Sequence, residues 1–140
     1  MKRICSLQKL SVRFISTARK LSHTSNLFSK YNFLKFQDFT KLDEISLMHK
    51  YVNNKLPNSF SNKFVKLSNF DRSVSFQLEV VKKSSLKTLP AYSMPKHWNS
   101  LPLEPKRVVS LSVLKNRRKE RILDSYNTSC TVKNCSSCRK

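Results

Sequence analysis

Residues 39–53 read FTKLDEISLMHKYVN. Phe39, Leu42, Ile45, Met48 and Tyr51 or Val52 recur every three or four positions, the period of a helix with one apolar face. Thr40 followed by Asp43 has capping-box spacing, and Asn53, Asn54 and Pro57 end the run. Upstream, Leu7, Leu10, Phe14, Ala18 and Leu21 repeat the period and predict a helix over 5–21. Residues 22–26 (Ser, His, Thr, Ser, Asn) are breaker and cap chemistry. A short helix then places Leu27, Phe28 and Tyr31 inward. Downstream, one or two helical turns over 58–65 would bury Phe60 and Phe64. The period then changes to two: Val74, Phe76, Leu78 and Val80 alternate with polar residues, which predicts a half-buried strand. Pro90, Pro95, Pro102 and Pro105 prevent 84–105 from forming one helix. A last helix is expected over 110–126, with Leu111, Leu114, Ile122, Leu123 and Tyr126 apolar. The expected fold is mainly α: a small helical fragment with one or two short β-strands and a Pro-rich irregular loop, with α+β as the alternative. Residues 1–126 form the expected module and 127–140 a polar, Cys-containing tail.

The 140 residues hold 28 Lys and Arg against 8 Asp and Glu, a net charge of +20, and no glycine. No apolar run approaches the ~18 residues of a membrane span. Without glycine there is no P-loop and no Rossmann turn, since both bring bare backbone against phosphate. The usual residue after a helix C-terminus is missing too. Alanine is scarce as well, and codon bias toward A and T accounts for both. The charge gathers at the ends: residues 1–37 carry +8 with no acid, 38–105 carry +4 and 106–140 carry +8. Such a distribution attracts polyanions: RNA, DNA or an anionic membrane surface, with nucleic acid the favoured reading.

The order of landmarks resembles the C-terminal region of the reverse-transcriptase polyprotein of non-LTR (LINE-type) retrotransposons, downstream of the polymerase core. The landmarks begin with Leu7-Gln8-Lys9, Val12 to Ile15, His23-Thr24 and Leu27-Phe28. They continue through Leu34-Lys35-Phe36-Gln37-Asp38, Met48-His49-Lys50-Tyr51, Leu56-Pro57, Ser59-Phe60 and Phe64. Trp98-Asn99-Ser100-Leu101-Pro102 is the most distinctive, preceded by Leu89 to Pro95 and followed by Ser110, Leu114-Lys115, Ile122-Leu123 and Tyr126. Leu114 stands where the family commonly has Phe, and Arg118 where an apolar residue is common.

The resemblance implies a piece from beyond the active site. In the family, catalysis belongs to an upstream polymerase palm, whose paired Asp residues bind two Mg²⁺, and to an endonuclease. This chain has no Asp-Asp pair. Asp43 and Glu44 are adjacent, but neighbours on a helix diverge by about 100°. They read as N-terminal helix charges. No other catalytic constellation is present, so no enzymatic activity is expected. The expected role is nonspecific contact with RNA or DNA through two basic helices. Lys9, Arg13, Arg19 and Lys20 supply the first; Lys115, Arg117, Arg118, Lys119 and Arg121 supply the second. A solvated helix face is the plainer reading of 115–121. Trp98 reads as a core anchor, with base stacking as its alternative.

Cys130, Cys135 and Cys138 form C-x4-C-x2-C. A closed zinc site needs a fourth ligand, from His23, His49, His97 or Cys5, or from a longer parent chain. Free thiols in the tail are the competing reading, and no other cofactor is expected. Residues 1–30 also fit a mitochondrial presequence, being amphipathic, Arg- and Ser-rich and acid-free. The alternative function is therefore a small basic mitochondrial RNA-binding or ribosome-associated protein. The retroelement reading favours a nuclear or cytoplasmic location.

Overall fold

The computed structural model describes residues 2–19, 22–60, 62–67 and 74–127. It is mainly helical, with six α-helices and one two-stranded antiparallel sheet among the described residues. The helices are α1 (Lys2–Ile15), α2 (Ser25–Lys30), α3 (Phe36–Val52), α4 (Pro90–Asn99), α5 (Leu103–Arg107) and α6 (Leu111–Asn127). Strand β1 (Lys66–Leu67) pairs with β2 (Ser75–Phe76), Lys66 opposite Phe76. Single 3₁₀ turns occupy Asn58–Phe60 and Ser84–Thr88.

Two compact units form: residues 1–40 with 117–140, and residues 41–116. The core of the 41–116 unit gathers Ile45, Met48 and Tyr51 of α3, Phe76 of β2, Met94 and Trp98 of α4, then Leu101 and Leu114. Tyr51, Phe64 and Phe76 meet edge to face, with ring centroids 5.1, 5.7 and 6.0 Å apart. That arrangement sets ring edges against ring faces. The Trp98 indole N–H donates to the Val74 carbonyl at 2.9 Å. Asn99 serves both main-chain groups of Phe76: its Oδ1 accepts from the N–H at 3.0 Å and its Nδ2 donates to the carbonyl at 2.7 Å. Trp98 and Asn99 thus clamp a strand whose ladder partner is two residues long. Leu101 fills the core and Pro102 leads into α5. Trp98 is 1% exposed, so base stacking is closed to it and the core-anchor reading holds.

The other unit has a smaller core of Val12, Phe28, Leu123 and Tyr126, flanked by Leu27, Leu34 and Ile122.

Several local expectations are corrected. α1 stops at Ile15, because Thr17 turns left-handed. Ala18 therefore lies outside the helix, and Leu21 lies outside the described residues. The stripe itself is inverted: Leu7, Leu10 and Phe14 face solvent, Phe14 being 84% exposed, while Gln8 and Val12 face inward. The cause is hydrogen bonding, since the Gln8 amide donates to Leu34 O and accepts from Phe36 N–H, both at 2.8 Å. α3 begins at Phe36, so Thr40 is interior and its hydroxyl donates to Gln37 O instead of capping. Phe39 is half exposed. Phe60 is also exposed. The strand ends at Phe76, and Val80, with no partner strand among the described residues, is 95% exposed.

The missing glycine has a structural consequence. Thr17, Asn32 and Asn54 hold φ of 49°, 58° and 54° at the ends of α1, α2 and α3. At each, the following N–H reaches back to the last turn: Ala18 to Arg13 O, Phe33 to Phe28 O and Lys55 to Lys50 O. This is the Schellman pattern that glycine normally serves. Asn tolerates left-handed backbone, whereas a β-branched residue there is strained. Thr17→Gly is expected to stabilise the 1–40/117–140 unit by about 1 kcal/mol in urea unfolding, with Asn54→Gly changing little.

Candidate nucleic-acid interface

The unit formed by residues 1–40 and 117–140 contains most of the expected basic residues. Lys9 and Arg19 are exposed, and Arg13 is half-buried with its Nε donating to Ser22 O at 3.0 Å. Lys20 lies outside the described residues. On α6, Arg117 and Arg121 are exposed and stand one helical turn apart. Arg118 falls on the inward stripe, four residues after Leu114 and four before Ile122. Its Nε is buried without a hydrogen-bond partner. Burial, then the neighbouring Arg121 charge, lowers its pKa from the usual value. Arg118 is accordingly poorly placed to meet phosphate, a correction to its grouping with Arg117 and Arg121. Lys119 is half-buried. Lys115 belongs to the other unit, 3.8 Å from Asp43. The run 115–121 is thus divided between two units and several helix faces.

The basic residues converge at a cavity of about 390 Å³ that charge counting along the chain does not reveal. Lys9 and Arg13 come to it from α1, His23 from the segment before α2, and Lys35 from the segment before α3. Ser25 lines it as well, and none of the described lining residues is acidic. The Lys35 ammonium donates to Ser25 Oγ at 3.0 Å and lies 4.2 Å from the centre of the Tyr126 ring, a cation–π distance. Burial lowers the Lys35 pKa; Asp38 opposes the shift and Lys9 adds to it. His23 is also held below its ordinary value, by burial first and then by the charges of Lys35, Lys9 and Arg13. Three cations and an imidazole thus share one low-acid space, where an arriving anion relieves their mutual repulsion.

Lys35 and His23 were not among the residues expected to bind nucleic acid. The available signal was the acid-free stretch 1–37, although Lys35, at its end, has Asp38 three residues on.

In the 41–116 unit, Glu44 accepts from Ser93 Oγ at 2.9 Å and lies 2.6 Å from His97 Nδ1. Asp43 and Glu44 sit in the middle of α3, not in its first turn. The macrodipole reading is therefore replaced by separate contacts, Glu44 with Ser93 and His97, and Asp43 near Lys115. His49 is fully buried, its Nε2 2.6 Å from Val108 O, with Nδ1 unpartnered. Cys5 is a half-buried free thiol. Cys130, Cys135 and Cys138 lie outside the described residues. Among the described residues, no group of three or more His, Cys, Asp or Glu could hold a metal ion. No helix of the described residues is long and apolar enough to cross a membrane.

Comparison with known proteins finds no matching family model, no matching curated protein and no matching solved structure.

Proposed function

We propose that this chain is a non-catalytic remnant of a non-LTR retrotransposon reverse transcriptase that contacts RNA or DNA nonspecifically through its basic residues. The observation that carries the nucleic-acid part is the convergence of Lys9, Arg13 and Lys35 on one cavity whose described lining residues include no carboxylate. Arg117 and Arg121, exposed on α6 of the same unit, add further cationic side chains. Such contacts read phosphate and not base edges, so they attract nucleic acid without choosing a sequence. The family part is supported by the ordered landmarks from Leu7 to Tyr126, of which Trp98-Asn99-Ser100-Leu101-Pro102 is the most distinctive. The alternative, a mitochondrial protein with a removable leader, has the amphipathic α1 in its favour. Against it, Gln8 and Val12 fasten α1 to the rest of its unit, which supports retention of this helix.

Binding of single-stranded RNA, followed by fluorescence anisotropy against salt, tests the nucleic-acid reading. The expected log–log slope is about −0.7 per phosphate contact. Arg117→Gln with Arg121→Gln should flatten it by roughly the share of two contacts. Affinity that does not change with salt would overturn the mechanism. For the lineage, decayed polymerase codons in the DNA upstream are expected; an intact, unrelated promoter there would count against it.

A further inference from the structure

We propose that the cavity formed by Lys9, Arg13, His23, Ser25 and Lys35 is a binding site for a phosphate monoester dianion. The proposal deepens, and rests on, the nucleic-acid reading, because it names the group that the cationic unit takes.

The argument begins with charge. Three cationic side chains face one space of about 390 Å³ whose described lining residues include no acid, Asp38 acting on Lys35 from outside that lining. A dianion gains more from that field than the single charge of a backbone diester does. Geometry points the same way. The cations approach from two elements far apart in sequence, α1 and the segment before α3, with residues 22–25 between them. A terminal phosphate, with three free oxygens, can meet donors on several sides. A diester offers two free oxygens, and its chain must both enter and leave. The donors are also positioned in advance. Arg13 is braced through Nε on Ser22 O, which leaves its terminal N–H groups for the ligand. Lys35 is braced on Ser25 Oγ and the Tyr126 ring. Ser25 accepts from Lys35 and keeps its own O–H to donate. The Thr24 hydroxyl lines the same cavity and does not cap α2. Arranging these groups before the ligand arrives lowers the cost of binding.

The dianion has two possible sources, the phosphorylated end of a nucleic-acid strand or a free small phosphate. Proton NMR of the His23 imidazole, assigned by its loss in His23→Gln, is followed through pH with added inorganic phosphate. Chloride at matched ionic strength is the control. A saturable rise in the His23 titration midpoint is expected, since the dianion offsets Lys35, Lys9 and Arg13; a midpoint equal to that in chloride would overturn the site. In a second arm, the same RNA oligonucleotide is compared with a 5′-phosphate and with a 5′-hydroxyl. The phosphorylated strand should bind roughly tenfold tighter, because hydrogen bonds between charged groups are the strong ones. Strand-end recognition is shown if it also binds tighter than inorganic phosphate or a nucleoside monophosphate. Equal affinity for those small ligands makes a free phosphate the source. Lys9→Gln should abolish the difference between the two strand ends; Lys9 is exposed, whereas Lys35 also braces the fold. Salt-dependent binding that ignores the strand end, with no His23 response, overturns the cavity proposal and leaves the general reading standing. A His23 response without RNA binding does the reverse.

Discussion

Trp98→Ala is expected to unfold the 41–116 unit, or to leave it barely folded. Truncating a fully buried aromatic costs about 3–5 kcal/mol in lost burial and residual cavity. The indole touches the strand segment as well as the core, because its N–H satisfies the Val74 carbonyl. Removing it leaves that half-buried acceptor without its partner, at a further cost of about 1–3 kcal/mol. A whole domain is stable by only ~5–15 kcal/mol, and a small unit sits at the low end of that range. Amide hydrogen exchange in peptides covering α4 and β2 measures the outcome directly: protection should collapse in both. Two controls separate ring from hydrogen bond. Trp98→Phe keeps most of the apolar area and forfeits the N–H, so it should lose about 1–3 kcal/mol. Asn99→Ala keeps the ring and frees both main-chain groups of Phe76, so protection should fall at β2 first. Exchange in Trp98→Ala indistinguishable from the parent would show that the clamp contributes nothing.

That clamp also shows how much of the fold the residues announce. The apolar period of α3 is legible, and Leu42, Ile45, Met48 and Tyr51 are buried as the spacing demands. The helical class is legible for the same local reasons, and 84–105 is indeed not one helix. The Pro-rich irregular loop is corrected, however: Pro90 opens α4, Pro95 lies inside it and Pro105 lies inside α5, so only Pro102 sits at a break. Proline is tolerated in a first helical turn, where its missing N–H has no intrahelical partner. α1 misleads because periodicity weighs apolar residues and ignores amide satisfaction. Gln8 faces inward to bond Leu34 and Phe36, and Leu7, Leu10 and Phe14 are turned outward with the opposite face. The alternation at 74–80 misleads because a strand extends only as far as its partner, and β1 offers two residues. The basic site is half legible. Lys9 and Arg13 declare themselves by helix spacing, but Lys35 joins them only through the packing of α1 against the segment before α3. A charge count along the chain carries no such information. Arg118 shows the converse: its place on the Leu114–Ile122 stripe is written in the period, and the period outweighs its charge.

In the unit that holds the basic cavity, Tyr126→Ala is expected to be the most damaging single change. The ring packs edge to face on Phe28, with centroids 6.4 Å apart, and carries the Lys35 ammonium. Its hydroxyl accepts from the Lys35 N–H at 3.0 Å and donates to Asp38 Oδ2 at 2.7 Å, which ties the end of α6 to the start of α3 within that unit. Loss of the ring should cost about 3–5 kcal/mol, and hydrogen exchange should rise in α1 and α2, whose Val12 and Phe28 share its core. Tyr126→Phe keeps the ring and should cost about 1–3 kcal/mol, because the Lys35 main-chain N–H loses its acceptor and Asp38 loses this one donor. The same hydroxyl makes stability depend on alkaline pH. Burial first, then the bond to Asp38, raises the phenol pKa well above its ordinary value. An acid whose pKa is raised on folding contributes stability that is complete below its unfolded value, about 10 for a phenol. That contribution is lost as pH climbs above this value, because the unfolded chain ionises first. Lys35 works in the opposite sense: its pKa is lowered on folding, so its cost is relieved as pH rises toward the ordinary lysine value. Comparing the parent with Tyr126→Phe isolates the phenol. The stability gap between them should narrow as pH rises above about 10, while the opposing slope from Lys35 remains. A gap that stays constant through that range would mean that the Tyr126–Asp38 bond does not hold the proton.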